Sequence, residues 1–521
     1  MLRNLLTVGS WTMLSRFLGL VRDQLLAALM GAGMVQDAYQ IAFRLPNMFR
    51  RLFGEGAFNA AFVPLFTTIH ERDGKQAAVT FASRALTMLV LLLVGLTLLG
   101  EVFMPAVIHV MAPGFSHGNP ERFLLAVTYT RITLPYMVFI CAAALVAGML
   151  NGLGRFSAAA AAYVSFNIVG IAAIGWAVAG HHDVAVASAW GITLSGVVQF
   201  ALLMWAAARH GMMPHLARPA LTPAIRRLLA RMGPGLVGSG VTQLNLTIDT
   251  IIATLLPTGS ISWLYFADRI NQLPLGVLGA ALGTTLLPLL SRHAAQQDKA
   301  AMRGAMDRAS DYALLLTLPA TAGLMAVAPE IMSALFGYGR FGPSDVNHAA
   351  QALLAYAVGL PAFVLIKLYA PAFFAEGDTA TPVKISMVTL ALNLGLNLLF
   401  LKPLAFMGPP LASALAAIVN LGLMLAVLRR RALFKPTRAV LGRMARITLA
   451  ALAMGCLTAW AAGQVAGTFP SWHLPLRVLG LGALVGLGAV LYALFLLGLG
   501  VVTLPGLVGM VRARLGRKRA P

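Results

Sequence analysis

Cysteine is nearly absent: Cys141 and Cys456 are the only two in 521 residues, and both sit inside apolar runs. Two such thiols frame neither a disulfide scaffold nor a tetrahedral zinc site, so packing is the role expected of them. Charge is also scarce, at 11% of residues, and the 17 Asp and Glu are outnumbered by 39 Lys and Arg. There is no HExxH pair, no paired-carboxylate arrangement and no glycine-rich Walker sequence, and the ten histidines sit mostly in connections. That excludes a zinc hydrolase or an ATPase and makes the chain no enzyme. A cleavable signal is missing too, because arginines interrupt the first apolar stretch and no small-residue cleavage site follows it. The first helix is expected to stay in the mature protein.

What fills the chain is membrane-like sequence. Hydrophobic residues make up 59% of it and the mean hydropathy is +0.81, far too apolar for a soluble domain of this length. Apolar spans of membrane length fall near 4–30, 36–68, 77–111, 123–150, 157–180, 184–208, 232–256, 261–290, 309–336, 347–375, 380–401, 408–428, 445–466 and 477–507. The expected fold is an all-α polytopic membrane protein with fourteen transmembrane helices. An even number of crossings puts both termini on one side. The amino-terminal tip, alternate connections and the tail carry 26 Lys and Arg, whereas the opposite connections carry 4, namely Arg122, Arg340, Lys402 and Arg477. By the positive-inside rule both termini are cytoplasmic. The net charge of +22 is therefore read as an inside anchor near anionic membrane lipid, not as a nucleic-acid surface.

Against this background the stretch from Trp11 to Phe62 is unusual, with Arg16, Arg22, Asp23, Asp37, Arg44, Arg50, Arg51 and Glu55 inside an apolar run. Each ionisable group at bilayer depth costs roughly 2.5–3.5 kcal/mol, so such a cluster must face water or protein. Arg16 and Asp23 lie two turns apart on one helix, and Arg44, Asn47, Arg51 and Glu55 step by three, four and four along a second. Five positive charges against three negative suit an anion such as a phosphate or diphosphate, whose oxygens match guanidinium forks. The bland alternative is helix glue, with Arg16 and Arg51 pairing to Asp23 and Glu55.

An internal repeat is expected in a transporter. AFNAAFVPLF at 57–66 aligns with ALGTTLLPLL at 281–290, and residues 22–39 align with 248–265, setting Asp23 on Asp249 and Tyr39 on Tyr265. The repeat divides the chain into two six-helix lobes around a central cationic cavity: 1–220 with helices 1–6 and 221–435 with helices 7–12. Residues 436–521 form helices 13 and 14 and a basic cytoplasmic tail. In the second lobe Arg269 falls within one position of the counterpart of Arg44. Thr242, Asn245 and Asp249 share a helix face, which reads equally as a site for a coupling cation, Asp249 with Asn245, and as polar residues bonded to a neighbouring helix.

The segments SRFLGLVRD, DAYQIAFRLPN, RRLFGEGAFNAAFVPLF, YFADRINQLPLGVLGAALGTTLLPLLS and GDTATPVKIS resemble the MurJ (MviN) family of bacterial lipid II flippases, within the multidrug/oligosaccharidyl-lipid/polysaccharide exporter superfamily. The likeness covers essentially the whole chain. It implies a flippase that moves undecaprenyl-diphosphate-linked disaccharide-pentapeptide across the bacterial cytoplasmic (inner) membrane by alternating access. By resemblance the cavity arginines map onto Arg16, Arg22, Arg50 and Arg269, with Asp37 and Glu55 as further polar positions. Asp23 and Arg51 complete the candidate substrate set from the charge cluster. Some relatives have an acid three residues after the helix 8 arginine, where this chain has Gln272. Implied partners are lipid II, membrane lipids and other cell-wall synthesis proteins; no cofactor or metal is expected, and the energy source is a sodium or proton gradient or the membrane potential. The rival readings are a flippase for another polyprenyl-diphosphate-linked oligosaccharide and a cation-coupled drug exporter, which would call for acids in its cavity.

If Asp249 holds a coupling cation, Asp249→Asn is expected to abolish sodium- or pH-dependent stabilisation while leaving membrane insertion intact. Thermal melts across sodium and pH check this, and an unchanged dependence returns Asp249 to a packing role.

Overall fold

The computed structural model describes residues 2–52, 57–118, 120–296, 298–435 and 437–502. Among the described residues eighteen α-helices follow one another: α1 Leu2–Met30, α2 Met34–Phe49, α3 Ala57–Val102, α4 Met104–Met111, α5 Pro113–Gly118, α6 Pro120–Thr133, α7 Tyr136–Gly152, α8 Phe156–Ala179 and α9 Val184–Arg209. The rest are α10 Pro223–Thr254, α11 Ser260–Ala295, α12 Lys299–Ala326, α13 Ala328–Phe336, α14 Pro343–Ala375, α15 Ala380–Phe400, α16 Gly408–Arg430, α17 Arg438–Val465 and α18 Leu474–Gly498. Among the described residues nine helical spans are long and apolar enough to cross a membrane, or ten if α12 and α13, bent by 74° at their junction, count as one. Helix α1 falls short of that apolarity because Arg16, Arg22 and Asp23 lie within it.

Several apolar stretches are broken where the chemistry requires it. Within α3 the chain turns at Gly74, whose φ of 84° suits a residue without a side chain, so the element is two helices in sequence. Helix α2 contains Pro46, and beyond Phe49 the winding loosens to a π turn at residues 50–52. Proline removes a backbone hydrogen bond, and π turns gather at functional sites.

The chain forms two compact units, Met1–Ser262 with Tyr338–Phe341, and Trp263–Gly337 with Gly342–Pro521. In the first, α8 packs on α1 and α9, α7 on α3 and α9, and α2 on α6. Helix α10, which the repeat assigns to the second lobe, packs here against α3, α4 and α5. Small residues set these approaches: a Cβ at Gly114 would lie 2.1 Å from the Thr254 carbonyl oxygen, and one at Gly191 would lie 2.8 Å from the Ala173 Cβ. With lipid as apolar as leucine, such close backbone contact supplies the dispersion energy that holds membrane helices together. The segment Tyr338–Phe341 docks on the end of α1, where the Arg340 N–H donates to the Ala28 carbonyl at 2.8 Å. Gly339, with φ 58°, permits it, since a Cβ there would stand 2.2 Å from the Ala28 oxygen.

In the second unit α14 packs on α16 and α12, α12 on α17, and α17 on α18. Leu360, Val364, Leu368, Phe373 and Met424 are among the residues of its core. The turn before α2 has a left-handed glycine at Gly31 (φ 71°) and the turn before α11 has one at Gly259 (φ 95°), two positions apart in the alignment of 22–39 with 248–265.

The GDTATP run acts as a clasp in this unit. Arg431, at the end of α16, donates to the Asp378 carboxylate, to Glu376 Oε2 at 3.1 Å and to Thr381 Oγ1 at 3.2 Å. Hydrogen bonds from Thr381, and then from Arg431, hold the Asp378 carboxyl well below the usual carboxylate range. A lowered folded-state value means that the unfolded chain binds more protons in acid. The stabilisation is therefore complete above about pH 4 and is lost as the pH falls further. Arg431→Gln is expected to lower stability at neutral pH and to flatten its decline below about pH 4, the ordinary carboxylate range. Thermal melts of the solubilised protein from pH 7 to pH 3 check both.

Candidate functional site

Helix α1 brings Arg22 and Asp23 into the interior of the first unit. Arg22 is 8% exposed and Asp23 is fully buried. Arg22 Nη2 and Nε donate to one carboxylate oxygen of Asp23, at 2.9 and 3.3 Å. The guanidinium carbon lies 4.9 Å from the centre of the Phe166 ring on α8. A small crevice beside it is lined by Arg22, Tyr39, Ile174, Ser188 and Ile192. Arg16, two turns earlier, is exposed, so the seven-residue spacing does not give it the environment of Asp23.

Along the expected stripe of the second helix, Arg44 and Asn47 have separate partners. Arg44 Nη2 donates to the Leu246 carbonyl on α10 at 2.6 Å, and Asn47 Oδ1 accepts from Arg50 Nε at 2.9 Å. Arg50, six residues after Arg44 and so off its face in a regular helix, lines a groove with Ile140, Ala147, Tyr163, Gln199 and Leu203. Arg51 is half-buried, and Glu55 lies outside the described residues.

Asp37 has a different environment from the arginines. It is fully buried, and its carboxylate accepts from Arg122 Nη2 at 2.6 Å, Gly259 N–H at 2.7 Å, Ser262 N–H at 2.9 Å and Ser262 Oγ at 2.6 Å. A carboxylate from α2 thereby caps the amino end of α11, where unsatisfied N–H groups and the helix dipole favour an anion. Arg122, which sequence reasoning left in a connection, is 4% exposed and stacks over Phe115 at 3.9 Å. The sequence carried no signal for a pair 85 residues apart.

On α10, Asn245 and Asp249 are both half-buried, four residues apart; the side chain of Thr242 lies outside the described residues. Arg269 in α11, within the second unit, is half-buried as well. The neighbouring Asp268 accepts from Gln272 Nε2 at 3.2 Å, so the residue that replaces an acid of some relatives works as an amide donor here. A buried polar ladder in the same unit also escaped sequence reading: Asn397 donates to Asn393, and Asn420 donates to Thr389 at 3.1 Å. Its signal was the four-residue step of asparagines in an otherwise apolar helix.

Residues 26–480 match the family model described as Lipid II flippase MurJ. The chain belongs to that family. A probable lipid II flippase MurJ of Rhizobium meliloti is 39% identical over 96% of this chain and 94% of its own length. The lipid II flippase MurJ of Burkholderia cenocepacia is 37% identical over 88% and 90%. Among solved structures, a lipid II flippase MurJ in an inward closed conformation superposes with a TM-score of 0.77 at 23% identity, covering 94% of this chain and 98% of that one. An inward-facing MATE multidrug transporter of the MOP superfamily gives 0.71 at 16% identity over 82% of this chain and 97% of that one. The all-α transporter fold of this family is thus shared by the present chain.

Removing one partner of a buried pair costs roughly 3–5 kcal/mol, because it strands the other charge. Arg122→Leu is accordingly expected to lower the melting temperature sharply, and Arg122→Leu combined with Asp37→Asn to recover much of the loss. Melts of the single and double variants in one detergent check this; equal losses would show that Asp37 and Arg122 do not act as a pair.

Proposed function

We propose that this multi-pass membrane protein, a lipid II flippase, holds the diphosphate of its substrate through the arginines of helices α1, α2 and α11. Support comes from the family match over most of the chain together with arginines placed inside membrane helices. Carrying a charged head group through hydrocarbon is the principal barrier, and guanidinium groups facing water lower it by replacing lost hydration. Arg22, Arg50 and Arg269 are the residues we assign to the diphosphate, with Arg16 and Arg51 adding positive potential and Asp23 holding Arg22 in place. Full-length similarity to chains named as lipid II flippases favours that substrate over another polyprenyl-diphosphate oligosaccharide or a drug.

The remaining readings are proposals of the same kind. The membrane is the bacterial inner membrane, with both termini in the cytoplasm, as the distribution of basic residues implies. The two repeat lobes work by alternating access. Return of the empty carrier is driven by the membrane potential, about 2.3 kcal/mol per charge per 100 mV, or by a sodium or proton gradient acting at Asp249 and Asn245.

Depletion of the protein, followed by determining which leaflet holds the lipid-linked precursor, tests the function; precursor reaching the outer leaflet at the normal rate would overturn it. Lysine keeps the charge but loses the two-point fork. Arg22→Lys, Arg50→Lys and Arg269→Lys are each expected to reduce transport about tenfold, the worth of one charge-assisted hydrogen bond. Lysine variants that support full growth as the sole copy would remove these arginines from the diphosphate site.

A further inference from the structure

The Arg22 guanidinium does not rest on Asp23 alone. It lies over Phe166, and Phe166 belongs to a group of rings with Phe43 and Tyr136, whose centroids are each 5.9 Å from that of Phe166. One helical turn after Phe166 stands Gly170. A Cβ built there would lie 3.0 Å from Arg22 Cδ and 3.8 Å from Arg22 Cγ, with no other neighbour within 4 Å. The missing side chain is thus occupied by the stem of Arg22 and by nothing else. Gly191, on the facing helix α9, is different. A Cβ there would meet Ala173 Cβ at 2.8 Å, Gly170 Cα at 3.7 Å and the Val169 carbonyl oxygen at 3.9 Å, so that glycine lets α9 lie against α8.

We infer that Phe166 and Gly170 form a cradle on α8 that positions the Arg22 guanidinium for its anionic ligand. This rests on the assignment of Arg22 to the diphosphate. Phe166 supplies a ring face that attracts a cation in a poorly hydrated place, and Gly170 supplies room for the methylene stem to lie flat against the helix. Asp23 takes one edge of the planar fork, which sets the orientation of the rest. A guanidinium fixed in this way loses less freedom on binding than one swinging from an unsupported stem. Phe166 and Gly170 are positioning residues: they act on substrate through Arg22.

The test is the substrate dependence of head-group translocation in vesicles reconstituted with the full chain and purified lipid II. Phe166→Leu and Gly170→Ala are each expected to raise KM by about 2- to 30-fold, the range of one cation–π contact, with kcat within about twofold. Phe166→Tyr keeps a ring and should stay near the native KM. Added to Arg22→Ala, neither change should weaken the protein further, because the group they position is gone. Gly359→Ala, at the contact of α14 with Ala414 in the second unit, serves as the control, expected to lower the melting temperature without the selective change in KM. A native KM for both Phe166→Leu and Gly170→Ala beside an impaired Arg22→Ala would overturn the cradle, as would losses that add fully to that of Arg22→Ala. Loss of kcat and melting temperature together, with KM unchanged, would reduce both residues to packing. A native KM in Arg22→Ala itself would overturn the assignment of Arg22 to the diphosphate, and the cradle with it.

Discussion

An ionisable group buried among membrane helices must find a partner, and the first unit is arranged around that constraint. The charges of α1 and α2 are disposed in different ways. Asp23 pairs with Arg22, Asp37 takes four donors, and Arg44 reaches a carbonyl of α10. The contacts of Asp37 and Arg44 also fix one helix against another, whereas the Arg22–Asp23 pair lies within α1. The Asp37 carboxylate ties α2 to α6, through Arg122, and to the first turn of α11. The same chemistry that makes an arginine expensive in hydrocarbon makes it useful as a fork for phosphate oxygens.

Packing between helices depends on the smallest side chains. Gly359 meets Ala414 in the second unit, where a Cβ would lie 2.8 Å from the alanine Cα, and Gly114 and Gly191 play the same part in the first. Close approach compensates for the missing hydrophobic drive between helices in lipid. Hydrogen bonds between polar residues then add register, as where Asn420 of α16 donates to Thr389 of α15.

Much of the architecture was legible from the chain. Apolar runs announce helices because the backbone has no other way to satisfy itself in hydrocarbon. Arg22 and Arg50 stood out in the sequence because charge in such runs is costly. Spacing gives the face that Arg44, Asn47 and Arg51 share but not their partners: Arg44 reaches the Leu246 carbonyl, and Asn47 accepts from Arg50. Gly170 and Phe166 gave no sign at all, since a glycine in an apolar helix has many uses and only a neighbour reveals which one applies.

Composition and order of residues alone determined that this chain is a helical membrane protein with a cationic region near its start, and motif resemblance pointed to the lipid II flippase family. Those properties follow from transfer free energies and from contiguous motifs, both local in the chain. Tertiary structure decided which charge meets which. Asp37 finds Arg122 and Ser262, and Arg22 finds Phe166 and Gly170. Such pairings depend on distances between residues far apart in sequence, and the bilayer's demand that every buried charge be satisfied does not say which distant group will satisfy it.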